Sequence, residues 1–167
     1  MTAALWAIGI VVVLLVFMLP AAIKVVRQYE RGVILRLGRF IGIKEPGVRL
    51  IIPFIDRMLK VDTRETDIDI PEQEVTTRDD VAIAVNAVVR LRVINPEDAV
   101  LEVVDYTRAT RLISEVALRD VLCQYERHEL PSQRHNINAK LQQIVDEQTS
   151  KWGVKVSAVD IKDMRRK

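Results

Sequence analysis

An α+β fold is predicted, with an N-terminal transmembrane helix followed by a domain of mostly antiparallel sheet and packed helices. Three observations predict it. A charge-free apolar run opens the chain, a long two-residue alternation occupies its middle, and apolar stripes of helical period come after that alternation.

The apolar run extends from Thr2 to Ile23, and Lys24 is the first charged residue. A helix rises ~1.5 Å per residue, so roughly 20 residues cross a hydrocarbon core. Residues 1–24 are therefore read as a membrane anchor. Val13, Leu15 and Phe17 form part of its body, Trp6 sits at headgroup level, and Pro20 kinks or ends the last turn. A cleaved signal peptide would carry Lys or Arg before the run, and Met1–Trp6 has neither. Its cleavage site would be small-x-small, which Leu19–Ile23 matches poorly. A buried core helix would not be apolar on every face over this length.

Lys24, Arg27, Arg31, Arg36 and Arg39 follow the run, and no basic residue precedes it. Positive-inside bias predicts a single-pass protein with its C-terminal domain in the cytoplasm. The formal net charge of +2 conceals an asymmetry. Residues 1–60 carry nine Lys/Arg against three Asp/Glu, and residues 61–167 carry sixteen against twenty. Two readings of the basic portion stand: a topology signal, or attraction to anionic lipid worth about 1 kcal/mol per residue near the surface. Nucleic acid is not an expected partner, because the basic stretch abuts the bilayer and has no aromatic stacking platform.

Gln28–Phe40 reads as a strand, and Gly42 and Pro46-Gly47 mark turns. Val48–Ile52 is a short apolar strand stopped by Pro53, and Asp56–Ile70 is a third extended stretch. The clearest strand runs from Val81 to Val93, where Val81, Ile83, Val85, Ala87, Val89, Leu91 and Val93 alternate with their neighbours. Thr77–Asp80 is its hairpin turn back to Gln73–Thr76. Asn95 caps a helix that has Pro96 in its first turn, and Thr107 caps the next, running to about Tyr125. Arg111, Glu115 and Arg119 form a charged stripe there, while Leu112, Ile113, Val116, Ala117 and Val121 face a core. A last helix starts near Pro131, with Ile137, Leu141, Ile144 and Val145 on one side. Gly153 suits a left-handed position past its end. Val154, Val156, Val159 and Ile161 make a final strand whose phase shift predicts a bulge.

These pieces, in this order, resemble the stomatin/prohibitin/flotillin (SPFH, band 7) superfamily, and within it the stomatin-like slipins. The likeness rests on Arg31-Gly32-Val33 with Leu37-Gly38-Arg39, and on Pro46-Gly47-Val48 followed by Ile52-Pro53-Phe54-Ile55-Asp56. It also rests on Val61-Asp62-Thr63-Arg64, Thr77-Arg78-Asp79-Asp80-Val81, Trp152-Gly153-Val154-Lys155-Val156 and Val159-Asp160-Ile161-Lys162-Asp163. The resemblance implies an SPFH domain at 25–163 and a truncated basic end at 164–167, without the C-terminal coiled-coil extension of the relatives. It implies a scaffold that oligomerises at the membrane, organises microdomains and modulates partner proteins. An NfeD-type membrane protein or a membrane protease is an implied partner. Where Cys123, Arg127 and Pro131 stand, the family usually has small or apolar residues.

No catalytic set is legible. His-Glu-x-x-His, Gly-x-Ser-x-Gly and a phosphate loop are all missing from the sequence. His128 and His135 read as solvated residues, and Asp67 with Asp69 as surface charge. No cofactor and no metal are expected. Cys123 is read as a small hydrophobe on a helix, or alternatively as a lipidated or redox-reactive thiol. Leu50, Ile51, Ile52 and Phe54, beside Arg49 and Arg57, carry two readings: a buried strand, or an interfacial foot; Lys24, Arg27 and Arg31 are further candidate membrane-interface contacts. Arg111, Glu115 and Arg119 are the candidate oligomer surface.

Overall fold

A computed structural model describes residues 22–166, with the side chain of Arg166 left aside. The anchor residues Trp6, Val13, Leu15, Phe17 and Pro20 lie outside the described residues. Among the described residues no helix is long and apolar enough to cross a membrane. The chain divides into two compact units, Met1–Asp62 and Thr63–Lys167.

The N-terminal unit is built from strands. β1 (Ile23–Val26) pairs antiparallel with β4 (Gly47–Leu50) in a two-stranded sheet. β2 (Glu30–Arg36) lies between β3 (Arg39–Lys44) and β5 (Asp56–Asp62) in a three-stranded antiparallel sheet. Lys24, where the expected anchor ends, lies in β1 and pairs with Arg49 in the ladder. One sequence expectation is corrected. The single strand expected over Gln28–Phe40 is a hairpin turning at Leu37 and Gly38, both with positive φ. Two positive φ values in a two-residue loop are what a type I′ turn needs to match strand twist. Val33, Ile34 and Val61 are buried, and Val26 lies against Gly32, where an added Cβ would stand 3.4 Å from Val26 Cγ2.

In the C-terminal unit β7 (Ala82–Val93) lies between β6 (Thr66–Thr76) and β8 (Val154–Arg166), all antiparallel. The stretch expected as one over Asp56–Ile70 is divided between β5 and β6, which belong to different sheets. The alternation of β7 places Ile83, Val85, Ala87, Val89, Leu91 and Val93 in the core. The predicted hairpin turn joins β6 to β7, and Thr77 closes it by donating from Oγ1 to Val81 O at 3.0 Å. The β8 register slips between the partners of Arg90 and Leu91, passing over Ser157, where the sequence placed a bulge. A second slip passes over Lys162. Residues 164–166 continue β8 rather than forming a separate end.

The described helices of this unit are α1 (Pro96–Leu101), α2 (Tyr106–Leu122), which packs on β6, and α3 (Leu130–Thr149), which packs on β8. Asn95 Oδ1 caps α1 by accepting from Glu97 N–H, and Asp105, not Thr107, caps α2 through Arg108 N–H. Gly153 follows a 3₁₀ turn at φ 65°, and a Cβ there would stand 2.5 Å from Asn95 O, so both space and backbone require glycine.

α3 also completes the outer edge of β8. Asp146 Oδ1 accepts from Val156 N–H, and Gln142 Nε2 donates to Val156 O. Asn138 Oδ1 accepts from Ile161 N–H, and Arg134 donates to Ile161 O. These four residues stand at spacing four, one row of a helix, so a single polar stripe satisfies the edge N–H and C=O groups of Val156 and Ile161.

Candidate functional site

Among the described residues three non-glycines take left-handed backbone: Asp80 in the β6–β7 turn, where Asp is well tolerated, and the apolar Leu37 and Phe54 in the N-terminal unit. Ile52 O accepts from Ile55 N–H, closing a turn with Pro53 at its second position and Phe54 at its third. Phe54 has φ 68° there, the position at which such a turn calls for glycine. Leu37 has φ 47° at the first position of the β2–β3 turn, where Asn or Gly is usual. Left-handed backbone costs about 1–3 kcal/mol for a non-glycine residue. Both side chains are also among the most exposed, Phe54 at 96% and Leu37 at 80%. The two turns are joined, since Leu37 N–H donates to Ile55 O at 3.1 Å.

Asp56 holds this tip together. Its carboxylate accepts from Arg36 Nε at 2.7 Å and Nη2 at 3.1 Å, and from Ile52 N–H at 3.0 Å. Those bonds, the one from Arg36 first, pull its pKa down to about 2, and the same partnership raises that of Arg36.

The β1–β4 sheet adds a second apolar surface. Ile23 stands directly opposite Leu50, and Val25 opposite Val48. Strand alternation puts these four on one face, and all are exposed, Leu50 at 72% and Val48 at 68%. Lys24 and Arg49 face each other on the reverse side.

Of the residues singled out in the sequence, Leu50, Ile52 and Phe54 are exposed, while Ile51 between them is buried. Lys24 is exposed on the reverse face of the β1–β4 sheet. Arg27 instead contacts Tyr29, donating to its hydroxyl at 2.7 Å, and Arg31 is half-buried within β2. The sequence reading missed Leu37, Ile55, Ile23, Val25 and Val48. The signal was present as Ile-Lys-Val and Val-Arg-Leu, two short apolar–basic alternations.

Helix α2 presents a different surface in the C-terminal unit. Its buried stripe is Thr110, Ser114, Ala117, Leu118, Val121 and Leu122. Leu112 and Val116, expected in the core, are 53% and 61% exposed. At about 100° per residue they lie on the far side of the helix from that stripe, so they cannot face the same core. They run beside Arg111, Glu115 and Arg119, with Ile113 and Ile144 in the adjoining groove.

Elsewhere a cleft of about 430 Å³ has Asp79, Arg127, His128 and Arg165 around Val81, Ile83, Leu130, Pro131 and Met164. Asp79 is committed to the Thr77 hydroxyl and to Arg127 N–H, bonds that lower its pKa. His128 and His135 are exposed. Among the described residues no three of His, Cys, Asp and Glu are placed to hold a metal ion. Cys123 is exposed at the end of α2, its Sγ 3.1 Å from Thr76 O.

The sequence pattern of the SPFH domain / Band 7 family matches residues 24–166. The chain belongs to that family. Within it the band 7 domain is stomatin-like. It is 46% identical over 156 residues to a stomatin homologue of Pyrococcus horikoshii, covering 93% of this chain and 59% of the relative. An uncharacterised protein of Archaeoglobus fulgidus is 48% identical over 157 residues, covering 94% and 63%. Mechanosensory protein 2 of Caenorhabditis elegans is 42% identical over 167 residues, covering 96% of this chain and 35% of its own length. The chain thus spans about six tenths of the length of those two archaeal relatives.

Proposed function

We propose that this band 7 protein is a non-catalytic membrane scaffold of the stomatin/slipin type. In this reading it is anchored by its N-terminal apolar run, touches the cytoplasmic leaflet through its N-terminal unit, self-associates, organises microdomains and modulates membrane partners. The observation that carries the reading is the pair of strained, exposed apolar turns at Leu37 and Phe54. A soluble surface gains nothing from a phenylalanine in a glycine position. A lipid interface does, because an apolar group entering the acyl boundary recovers burial energy of about 25 cal/mol per Å².

The test uses the full chain in lipid nanodiscs, with Phe54→Cys labelled by an environment-sensitive fluorophore in a Cys123→Ser background. Quenching by acyl-chain nitroxide lipids, and protection from aqueous iodide, are expected. Quenching by iodide alone would overturn the membrane contact.

Self-association is assigned to the outer face of α2. Leu112 and Val116 supply apolar area there, and Arg111, Glu115 and Arg119 supply both charge signs. A regulatory subunit bound to an NfeD-type membrane protein or a membrane protease would use the same face. The mass of the detergent-extracted chain separates the two: a large uniform homo-oligomer supports the scaffold, and a monomer supports the subunit.

A further inference from the structure

Lys24 and Arg49 stand directly opposite each other in the β1–β4 ladder. Like charges at that spacing repel and weaken a sheet. Among the described residues neither makes an ion pair; Arg49 Nε is held by Glu45 O at 3.2 Å, a carbonyl that cannot neutralise it. A two-stranded sheet is marginal in water, so an uncompensated cation pair at its centre is a poor choice for stability alone.

The reverse face explains where the counter-charge lies. Ile23, Val25, Val48 and Leu50 point away from the cations. Side chains on the two faces of a strand pair end roughly 10 Å apart, the spacing at which sheets stack. An interfacial element buries its apolar face about 5–10 Å into the headgroup and acyl boundary. With the apolar four at that depth, the ammonium and guanidinium reach the phosphate level of the same leaflet, helped by the long stems of both side chains.

We infer that Lys24 and Arg49 form a clamp for the headgroup of an anionic phospholipid. The inference rests on the membrane contact proposed above and names its lipid class. The full chain is reconstituted in phosphatidylcholine bilayers with trace spin-labelled phosphatidylserine or phosphatidylcholine, and the motionally restricted fraction is measured. Phosphatidylserine is expected to be preferred about 5-fold at low salt, falling as salt screens the pair. The double variant Lys24→Gln/Arg49→Gln should lose that preference, Lys24→Arg should keep it, and Arg39→Gln should keep it. Equal preference in wild type and double variant would overturn the clamp. So would loss of preference on adding inorganic phosphate at constant ionic strength, which would mark a site for a free anion. The position-54 fluorophore reports separately on the underlying contact. A label in lipid without headgroup preference defeats the clamp alone, whereas a label in water defeats both.

Discussion

The β1–β4 ribbon and turns of the N-terminal unit use apolar residues in the opposite way from the sheet of the C-terminal unit. The C-terminal unit hides those of its sheet, where β7 buries every second residue and α3 sets Ile137, Leu141 and Val145 against the sheet, and exposes Val104, Leu112 and Val116 away from it. Its polar backbone is also accounted for at Val156 and Ile161 on the β8 edge. The ribbon and turns of the N-terminal unit display theirs: Leu37, Val48, Leu50 and Phe54 are all exposed, two of them on strained backbone. Under the proposed membrane contact, a bilayer would be a second place to bury the displayed apolar surface. The contrast separates buried residues from displayed ones, so substitutions in the two sets should differ in their cost to stability.

The largest effect expected is in the buried unit. Leu141 is 1% exposed, and Leu141→Ala should cost about 2–5 kcal/mol, while Val48→Ser should cost less than about 0.5 kcal/mol. Urea unfolding of the detergent-solubilised chain, followed by circular dichroism, checks both. Comparable losses would erase the distinction between the units.

Next comes the strand edge. Asp146→Ala removes the acceptor of Val156 N–H and should cost about 1–3 kcal/mol, with amide exchange accelerating at Val156. Unchanged exchange there would show that water replaces the carboxylate without loss.

A smaller effect has the opposite sign. Phe54→Gly relieves the left-handed backbone and should raise stability by about 1 kcal/mol while reducing lipid contact. A destabilised variant would mean that Phe54 packs within its own unit.

The smallest effect is in acid. Asp56 has a folded pKa of about 2 against an ordinary 3.8, so it binds fewer protons folded than unfolded. Its contribution is complete above pH about 4 and disappears as pH falls through about 2. Asp56→Asn should flatten the acid limb of stability between those values; an unchanged limb would place the acid sensitivity elsewhere.

The legible parts of the sequence were those governed by local rules. The β7 alternation, the Asn95 cap, Gly153 and the Ser157 bulge each follow from the residue and its neighbours. The face of α2 was misread because it buries Thr110 and Ser114 and leaves Leu112 and Val116 outside. Hydropathy favours the reverse, and only the packing geometry decides. The β8 edge cap was present in the spacing of Arg134, Asn138, Gln142 and Asp146, but its meaning needs the strand beside it. At the candidate site, Phe54 was visible as a residue. Its backbone strain, and its link to Leu37, are tertiary facts.

The polar row of α3 along β8 also bears on strand addition. Growth of sheets into a fibre requires two open sides on each copy, one to receive and one to offer. In the order β6-β7-β8 the helix has closed one of them. Two copies meeting along β6 would complete a pair and stop. Within the β6-β7-β8 sheet, strand addition is thereby left to the β6 side, because α3 occupies the β8 side at Val156 and Ile161.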